Sequence, residues 1–310
     1  MRRLGIVVFD DFQIIDAAGP MGAFETPARA IRPTPYELVL VSRDGGPVRS
    51  TSGVKVHTEA FGDADFDTLL IAGGFGVRGA AACPRTLDFV RSANARRIGS
   101  VCSGAFVLAE AGLLDGRRAT THWRRAAELQ KRYPAIKVDA DAIFVRDGAL
   151  WTSAGVTAGI DLALALIEDD LGAEVARRTA QELVVFHRRP GGQSQHSALL
   201  QMAPKADRIA KALAFARERL HEPLPVERLA EAAGLSPRQF ARLFAQETGR
   251  TPAKAVEQLR VEAARTEIER RVRSLEEIAR STGFGDAGRM RSAFLRAFGQ
   301  PPQALRRRSA

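Results

Sequence analysis

The sequence predicts an α/β sandwich on a mostly parallel sheet, followed by an all-α domain carrying two helix-turn-helix motifs. Three observations predict it. Short apolar runs alternate with helical stretches through the first two thirds of the chain. Beyond Pro204 only helical periodicity remains. Within that last stretch the sequence repeats itself. At 310 residues, 45% hydrophobic and 26% charged, the chain suits two globular domains with sizeable cores.

Residues 5–9, 36–41, 68–72, 98–101 and 150–152 read as buried strands, because each is a short apolar run between turn formers. Residues 21–31, 87–95, 105–110, 124–132 and 157–171 read as helices. The opening Met1-Arg2-Arg3 and the apolar run behind it imitate a signal peptide. That run is only six residues long and meets Asp10 and Asp11, so a buried first strand is expected. No apolar run approaches a membrane span. The stretch 188–197 has no apolar period and is rich in turn formers, so it reads as a linker or exposed loop. The expected layout is therefore a domain at 1–190, a linker at 191–206 and a second domain at 207–310. Cys83 and Cys102 are too few for a disulfide framework or a Cys-rich zinc site, and the cytoplasm is the expected location. Neither a Walker nor a dinucleotide fingerprint occurs, and no cofactor or metal is expected.

Charge separates the two parts. Residues 1–190 carry 24 Lys and Arg against 23 Asp and Glu, whereas 191–310 carry 22 against 13. An excess of +9 in the last part suits either a polyanionic partner, whose counterions are released on binding, or a solvated basic surface. The run Arg306, Arg307 and Arg308 reads as a disordered tail and adds little to this.

The repeat decides between them. Its first copy places Val226, Leu229, Ala230, Gly234, Leu235 and Ser236 where the second, 49 residues on, has Leu275, Ile278, Ala279, Gly283, Phe284 and Gly285. After the turn the offset becomes 50, pairing Phe240 with Met290, Phe244 with Phe294, Gly249 with Gly299 and Pro252 with Pro302. Each copy is a short helix, a glycine-bearing turn and a second helix with apolar residues at i and i+4, the plan of a helix-turn-helix. Ser236 and Pro237 cap and start the second helix of the first copy. A helix from about Ala253 to Arg270 joins the copies. It would span roughly 27 Å, against a spacing of about 34 Å between reading heads on successive major-groove faces.

Residues 207–310 resemble the AraC/XylS-type DNA-binding domain throughout. The likeness is carried by Leu229-Ala230, the run Gly234 to Phe240, Leu243-Phe244, Gly249, Pro252, Arg260, Ala264-Arg265, Ile278-Ala279, the run Gly283 to Asp286, Phe294, Phe298-Gly299 and Pro302. Ala255 departs from the aromatic usual at that position. Helical geometry buries Phe240, Leu243 and Phe244 and turns Arg238, Gln239, Ala241 and Arg242 outward; in the second copy Gly288, Arg289, Arg291 and Ser292 face out. Arg pairs with guanine edges and Gln with adenine, but each of these residues could equally contact phosphate. Arg242 and Arg289 are the leading candidates.

A second chemistry lies upstream. In Ile98 to Phe106 an apolar strand runs through a sharp turn at Cys102 into a helix. Such a turn lifts the thiol out of the sheet, where a helix dipole is expected to lower its pKa and amides to hold an anion. His122 in Thr120-Thr121-His122-Trp123 supplies an imidazole, Gly73 and Gly74 offer bare amides, and Asp16 interrupts an apolar run near the front. From spacing alone these residues could belong to separate, unrelated turns. Residues 1–190, however, resemble the ThiJ/PfpI, class I glutamine-amidotransferase-like fold. The likeness rests on Ala72-Gly73-Gly74, the run Val101 to Ala105, the stretch Leu108 to Gly116, Thr120 to Trp123, and the stretch Trp151 to Asp161. It implies that Cys102 is the elbow cysteine, His122 its neighbour and Asp16 the acid, with Gly74 and Ser103 on the oxyanion side. Peptidase-like, hydratase-like and chaperone-like members share that elbow, so fold does not decide chemistry.

The order of the two domains resembles the GlxA group of regulators. That likeness implies a transcription regulator that binds double-stranded DNA, senses a small nitrogenous metabolite, forms a homodimer, works with RNA polymerase and does not act at a membrane. The expected effector site comprises Asp16, Gly74, Cys102, Ser103 and His122. The alternative is a cysteine-dependent hydrolase or hydratase with an appended DNA-binding domain, in which Cys102, His122 and Asp16 are catalytic. A redox role for an exposed, low-pKa Cys102 ranks behind both. His57, His187, His196 and His221 show no ligand spacing and read as surface or loop residues, Cys83 as a loop thiol. Trp123 and Trp151 read as core, with Trp123 bordering the site.

Overall fold

A computed structural model describes residues 1–63, 65–185, 189, 191–192, 195, 202, 206–270 and 272–304, with the side chains of 269 and 270 left aside. The expectations for His187, His196 and the 306–308 tail fall outside those residues. The chain divides into two compact units, Met1–Gln195 and His196–Ala310.

In the first unit eight strands form one sheet in the order β3-β4-β2-β1-β5-β6-β10-β9. Its central strands are β2 (Tyr36–Ser42), β1 (Arg2–Val7), β5 (Asp65–Ile71), β6 (Asn94–Val101) and β10 (Leu150–Ser153), all mutually parallel. Register pairs Ile6 with Leu70, Leu69 with Ile98 and Val101 with Ser153. Alternation along the strands feeds two cores. Val7, Leu69 and Ile71 meet the face covered by α2 (Val77–Ala81), α3 (Pro84–Ser92), α4 (Ala105–Glu110) and α5 (Trp123–Arg132). Ile6 and Leu70 meet the opposite face, under α1 (Ile14–Ala30), α6 (Ala158–Leu171) and α7 (Ala173–Glu182). Helices on both faces of a parallel sheet put its loop crevice at the carboxyl ends of the strands.

Several elements differ from expectation, and the helices α2 and α7 were not foreseen. The hairpin β3 (Asp44–Arg49) and β4 (Lys55–Ala60) is antiparallel and offers the core only the cross-strand pair Val48 and Val56, so it left no apolar run. The strand β9 (Phe144–Asp147) closes the other edge antiparallel to β10, also unforeseen. The first helix starts at Ile14 rather than residue 21, carrying Pro20 and Pro27 within it. The third helix runs Pro84–Ser92 and gives way to β6 at Asn94, where helix had been expected to residue 95. A short pair, β7 (Arg118–Ala119) and β8 (Lys137–Val138), forms a second, two-stranded sheet.

The second unit is helical among its described residues: α8 (Asp207–Glu218), α9 (Val226–Ala232), α10 (Pro237–Thr248), α11 (Pro252–Arg270), α12 (Leu275–Ser281) and α13 (Ala287–Phe298). The helices α9 and α10 form the first helix-turn-helix, α12 and α13 the second, and α11 joins them. Ser236 and Ser274 each close a capping box, with Gln239 and Glu277. Phe240, Phe244, Met290 and Phe294 are all buried, as the repeat required. Ala255 is fully buried in the first core without the aromatic usual there. Among the described residues no helix is long and apolar enough to cross a membrane.

Candidate functional site

Four loops converge at the carboxyl ends of the four adjacent strands β1, β5, β6 and β10. The first brings Asp16 on α1, the second Gly73 and Gly74, the third Cys102 and Ser103, and the fourth Gly155 and Val156. Cys102 has φ +57°, the left-handed conformation of a sharp elbow, and opens a 3-10 turn, Cys102–Gly104, that leads into α4. Val156 also sits left-handed, at φ +54°, which for a β-branched side chain is a costly conformation. Its reward is geometric. The strained turn aims the Val156 amide at Asp16 Oδ1, 2.8 Å away, while the Gly73 amide reaches Oδ2 at 3.2 Å.

Asp16 is wholly buried. Burial raises its pKa to about 6, against the pull of the Val156 amide, the Cys102 thiol and the Gly73 amide. The Cys102 thiol is hydrogen-bonded to that carboxyl group and is pushed up to about 12, first by burial and then by the Asp16 charge. The expected lowering of this pKa is therefore overturned. The 3-10 turn and six-residue α4 provide only a short dipole, and the amide and hydroxyl of Ser103 do not offset burial beside a carboxylate. Near neutral pH the pair is a thiol donating to a carboxylate. A redox role that needs a low-pKa thiol loses its basis.

The glycine amides are not bare either. The Gly74 amide donates to Ser103 Oγ (3.0 Å) and the Gly76 amide to the Asp11 carbonyl (3.2 Å). The Ser103 hydroxyl donates back to the Gly74 carbonyl (3.3 Å). Gly155 covers the elbow from the opposite side: a Cβ there would lie 2.1 Å from the Cys102 Cβ, at φ +85°. No other residue type fits.

His122 caps α5, its Nδ1 accepting the Arg124 amide at 3.3 Å. The preceding Thr121 ties this corner to the elbow by donating to the Cys102 carbonyl at 2.7 Å. The His122 ring lies 5.7 Å from that of Trp123, which is 45% exposed and carries the Arg124 guanidinium over its face. Trp151, by contrast, is core. Phe75, beside Gly74, is 87% exposed.

Sequence reasoning missed Gln195, in a stretch read as linker or exposed loop. Its Nε2 donates to the Thr121 carbonyl (2.9 Å) and to the carbonyls of Ala140 and Ala142, and its Oε1 accepts the Trp123 amide (2.9 Å). Gly191 accepts from the Phe144 amide, and Arg189 grips buried Asp161 on α6 through Nε and a terminal nitrogen. These residues are bonded into the first unit. A glutamine among glycines and serines carries no pattern that would have revealed this. Cys83 lies, as expected, in the loop before Pro84, at the N-cap position of α3, and hydrogen bonds from Thr86 and Arg43 lower its pKa.

On the second unit, Arg238, Gln239 and Arg242 on α10 and Arg289, Arg291 and Ser292 on α13 are all exposed. Their commitments differ. Among the described residues the side chains of Arg238, Arg242 and Arg291 make no hydrogen bond or ion pair. Arg289 pairs with Asp286 at 3.4 Å. Ser292 donates to the Gly288 carbonyl, and Gln239 Oε1 accepts from the Ser236 amide and hydroxyl. Bidentate adenine reading by Gln239 would cost that capping box.

The DJ-1/PfpI family matches residues 2–169, and a helix-turn-helix domain family matches residues 229–308. The chain is 33% identical over its whole length to the HTH-type transcriptional regulator GlxA of Rhizobium meliloti (strain 1021), covering 97% of that protein. It is 39% identical over 185 residues to isonitrile hydratase of Pseudomonas putida, covering 58% of this chain and 77% of the relative. A crystal structure of a ThiJ/PfpI family protein from Pseudomonas syringae aligns at TM-score 0.56 with 26% identity, over 76% of this chain and 91% of that one.

Proposed function

The chain belongs to the DJ-1/PfpI family and continues into a helix-turn-helix domain, and on that premise we propose that it is a DNA-binding transcription regulator with an effector site at the cysteine elbow. One observation carries the reading: both copies of the repeat bury their apolar stripe and turn uncommitted cations, Arg238, Arg242 and Arg291, to solvent. The full-length relative named as a transcriptional regulator supports it. In this reading residues 207–310 bind double-stranded DNA, residues 1–190 sense, and Asp16, Gly74, Cys102, Ser103 and His122 frame the effector.

The effector is a small nitrogenous metabolite. The exposed Trp123 face already holds a cationic nitrogen group, the Arg124 guanidinium at 4.9 Å, and a cationic effector competes for that face. Gln195, the last residue of the first unit, bonds to the Thr121–Trp123 corner, so a change there reaches the chain where it leaves that unit. An effector acts only by favouring one state over another. Two copies of the chain bind together and work with RNA polymerase. The test is a thermal-shift screen of amino acids, betaines and polyamines against the full chain. The reading expects a hit that also alters the DNA footprint; hits that leave the footprint unchanged contradict sensing.

A second reading makes Cys102 a working nucleophile. The hydratase relative and the Cys102–Asp16 pair favour it. The Cys102→Ala variant separates the two. A retained effector response makes catalysis unnecessary, whereas lost turnover of a defined substrate supports the enzyme.

A further inference from the structure

The two reading heads do not share an apolar core. One cluster gathers α8, α9, α10 and the first half of α11 and ends at Leu259; the other begins at Val261 and gathers the rest of α11 with α12 and α13. Arg260 stands between them. A connecting helix of 19 residues, about 28 Å long, joins the heads but, acting alone, leaves each free to pivot where its own core ends.

Polar contacts meet at that seam. Arg260 Nε donates to the Leu220 carbonyl at 3.0 Å, and a terminal nitrogen of the same guanidinium donates to the Glu222 carbonyl at 2.7 Å. Leu220 and Glu222 lie in the α8–α9 connection of the first head. Among the described residues no carboxylate pairs with Arg260, so its half-buried guanidinium is devoted to those carbonyls. The second head presses on the same place. A Cβ on Gly283, in the α12–α13 turn, would lie 1.8 Å from the Leu220 carbonyl oxygen and 2.7 Å from Arg260 Nε.

The repeat supplies its own control. Gly234 occupies the equivalent turn of the first head with a similar left-handed φ, yet a Cβ there would meet nothing within 4 Å. The second glycine therefore answers to more than the turn. It lets the second head close onto the first.

We propose that Arg260 is a positioning residue that, with Gly283, locks the two heads into one body and so sets the separation and rotational phase of the two DNA boxes they read. The proposal rests on the reading that both heads bind DNA. A rigid link raises the effective concentration of the second head at its box only when the boxes match its geometry. Loosening the brace weakens binding at the matched spacing and relaxes the penalty for every other spacing.

The experiment selects duplexes from a randomised pool with the full-length chain, then measures affinity as the two enriched boxes are moved apart by one to five base pairs. Five base pairs is roughly half a turn of B-DNA. For the wild type, the half-turn insertion costs at least about tenfold in affinity. Arg260→Gln and Gly283→Ala each lose about tenfold at the matched spacing but vary less than about threefold across the series. Arg260→Lys, which keeps one donor group, falls between. All variants bind each of the two single-box duplexes like the wild type, which shows that both heads are folded. A spacing profile as sharp in Arg260→Gln and Gly283→Ala as in the wild type overturns the brace. Enrichment of one box only by the wild type also overturns it, while leaving DNA binding standing; no enrichment at all removes the DNA-binding reading itself.

Discussion

The cysteine elbow and the reading heads use polar groups in opposite ways. At the elbow the Asp16 carboxyl, the Cys102 thiol and the amides of Gly73 and Val156 bond to one another, and the Gly74 amide and Ser103 hydroxyl close a second loop beside them. On the heads, the side chains of Arg238, Arg242 and Arg291 point into solvent and bond to nothing described. A buried constellation is held by fixed dipoles and is ready before any ligand arrives, at a cost in strain and desolvation. An exposed cation costs the fold nothing and gains its partner only when a polyanion arrives. Substitutions at the elbow should therefore register as stability, and substitutions on the heads as binding.

The sharpest way to break that contrast is Gly155→Val. The new side chain collides with Cys102 at a backbone conformation valine rarely adopts. The expected loss is at least about 4 kcal/mol or outright failure to fold. Both tryptophans lie in the first unit, so denaturant unfolding followed by tryptophan fluorescence reports that unit alone. A loss below about 1 kcal/mol would mean that the elbow is looser than described.

Next comes pH. Asp16 has a folded pKa of about 6 against an ordinary 3.8, so the folded unit holds this proton more tightly than the unfolded chain does. Its contribution is fully present below pH 4 and is lost as pH rises through 6. At about 1.4 kcal/mol per pH unit of difference, the loss is on the order of 3 kcal/mol. It is read as the wild-type profile minus that of Asp16→Asn, and a flat difference between pH 4 and 7 would count against a buried, proton-holding Asp16.

The two cysteines provide a comparison of similar size. Cys102 is held near 12 by burial, while the Thr86 hydroxyl leads the groups that lower Cys83. Iodoacetamide at pH 8 should alkylate Cys83 at least about a hundredfold faster than Cys102, since only the thiolate reacts. Peptide mass mapping over time gives both rates, and equal rates would contradict the assignment. The smallest effects belong to the heads. Arg242→Ala and Arg289→Ala should each weaken binding to a selected duplex by about tenfold, with stability unchanged within about 0.5 kcal/mol. The loss should be smaller for Arg289, whose charge is partly answered by Asp286.

The same contrast governs what could be read in advance. Strands β1, β2, β5, β6 and β10 announce themselves as apolar runs because helices bury both their faces. The β3–β4 hairpin has polar edges containing Gly45, Gly46 and Pro47, and leaves no such trace. Pro20 disguised the start of α1 because a proline within a helix reads as a break. The elbow at Cys102 and Ser103 was legible from its strand-turn-helix pattern, whereas Asp16 and Gly74 were joined to it only by the family likeness. The Val156 amide was not legible, since backbone groups carry no sequence label. Gln195 was hidden for a related reason: its role comes from where the chain returns. Gln239 illustrates the reverse. Ser236 and Gln239, three apart, spell a capping box in plain sequence, yet helical geometry alone recommended Gln239 as a base reader.

The most direct test of a regulator with two outward-facing heads is its specificity ratio: the affinity of the full chain for a selected two-box duplex over that for a scrambled duplex, both at 0.15 M salt. The account predicts a ratio of at least about 10³, falling about tenfold with each of Arg242→Ala and Arg291→Ala. A ratio near one would leave the basic surface as mere solvated charge and contradict it.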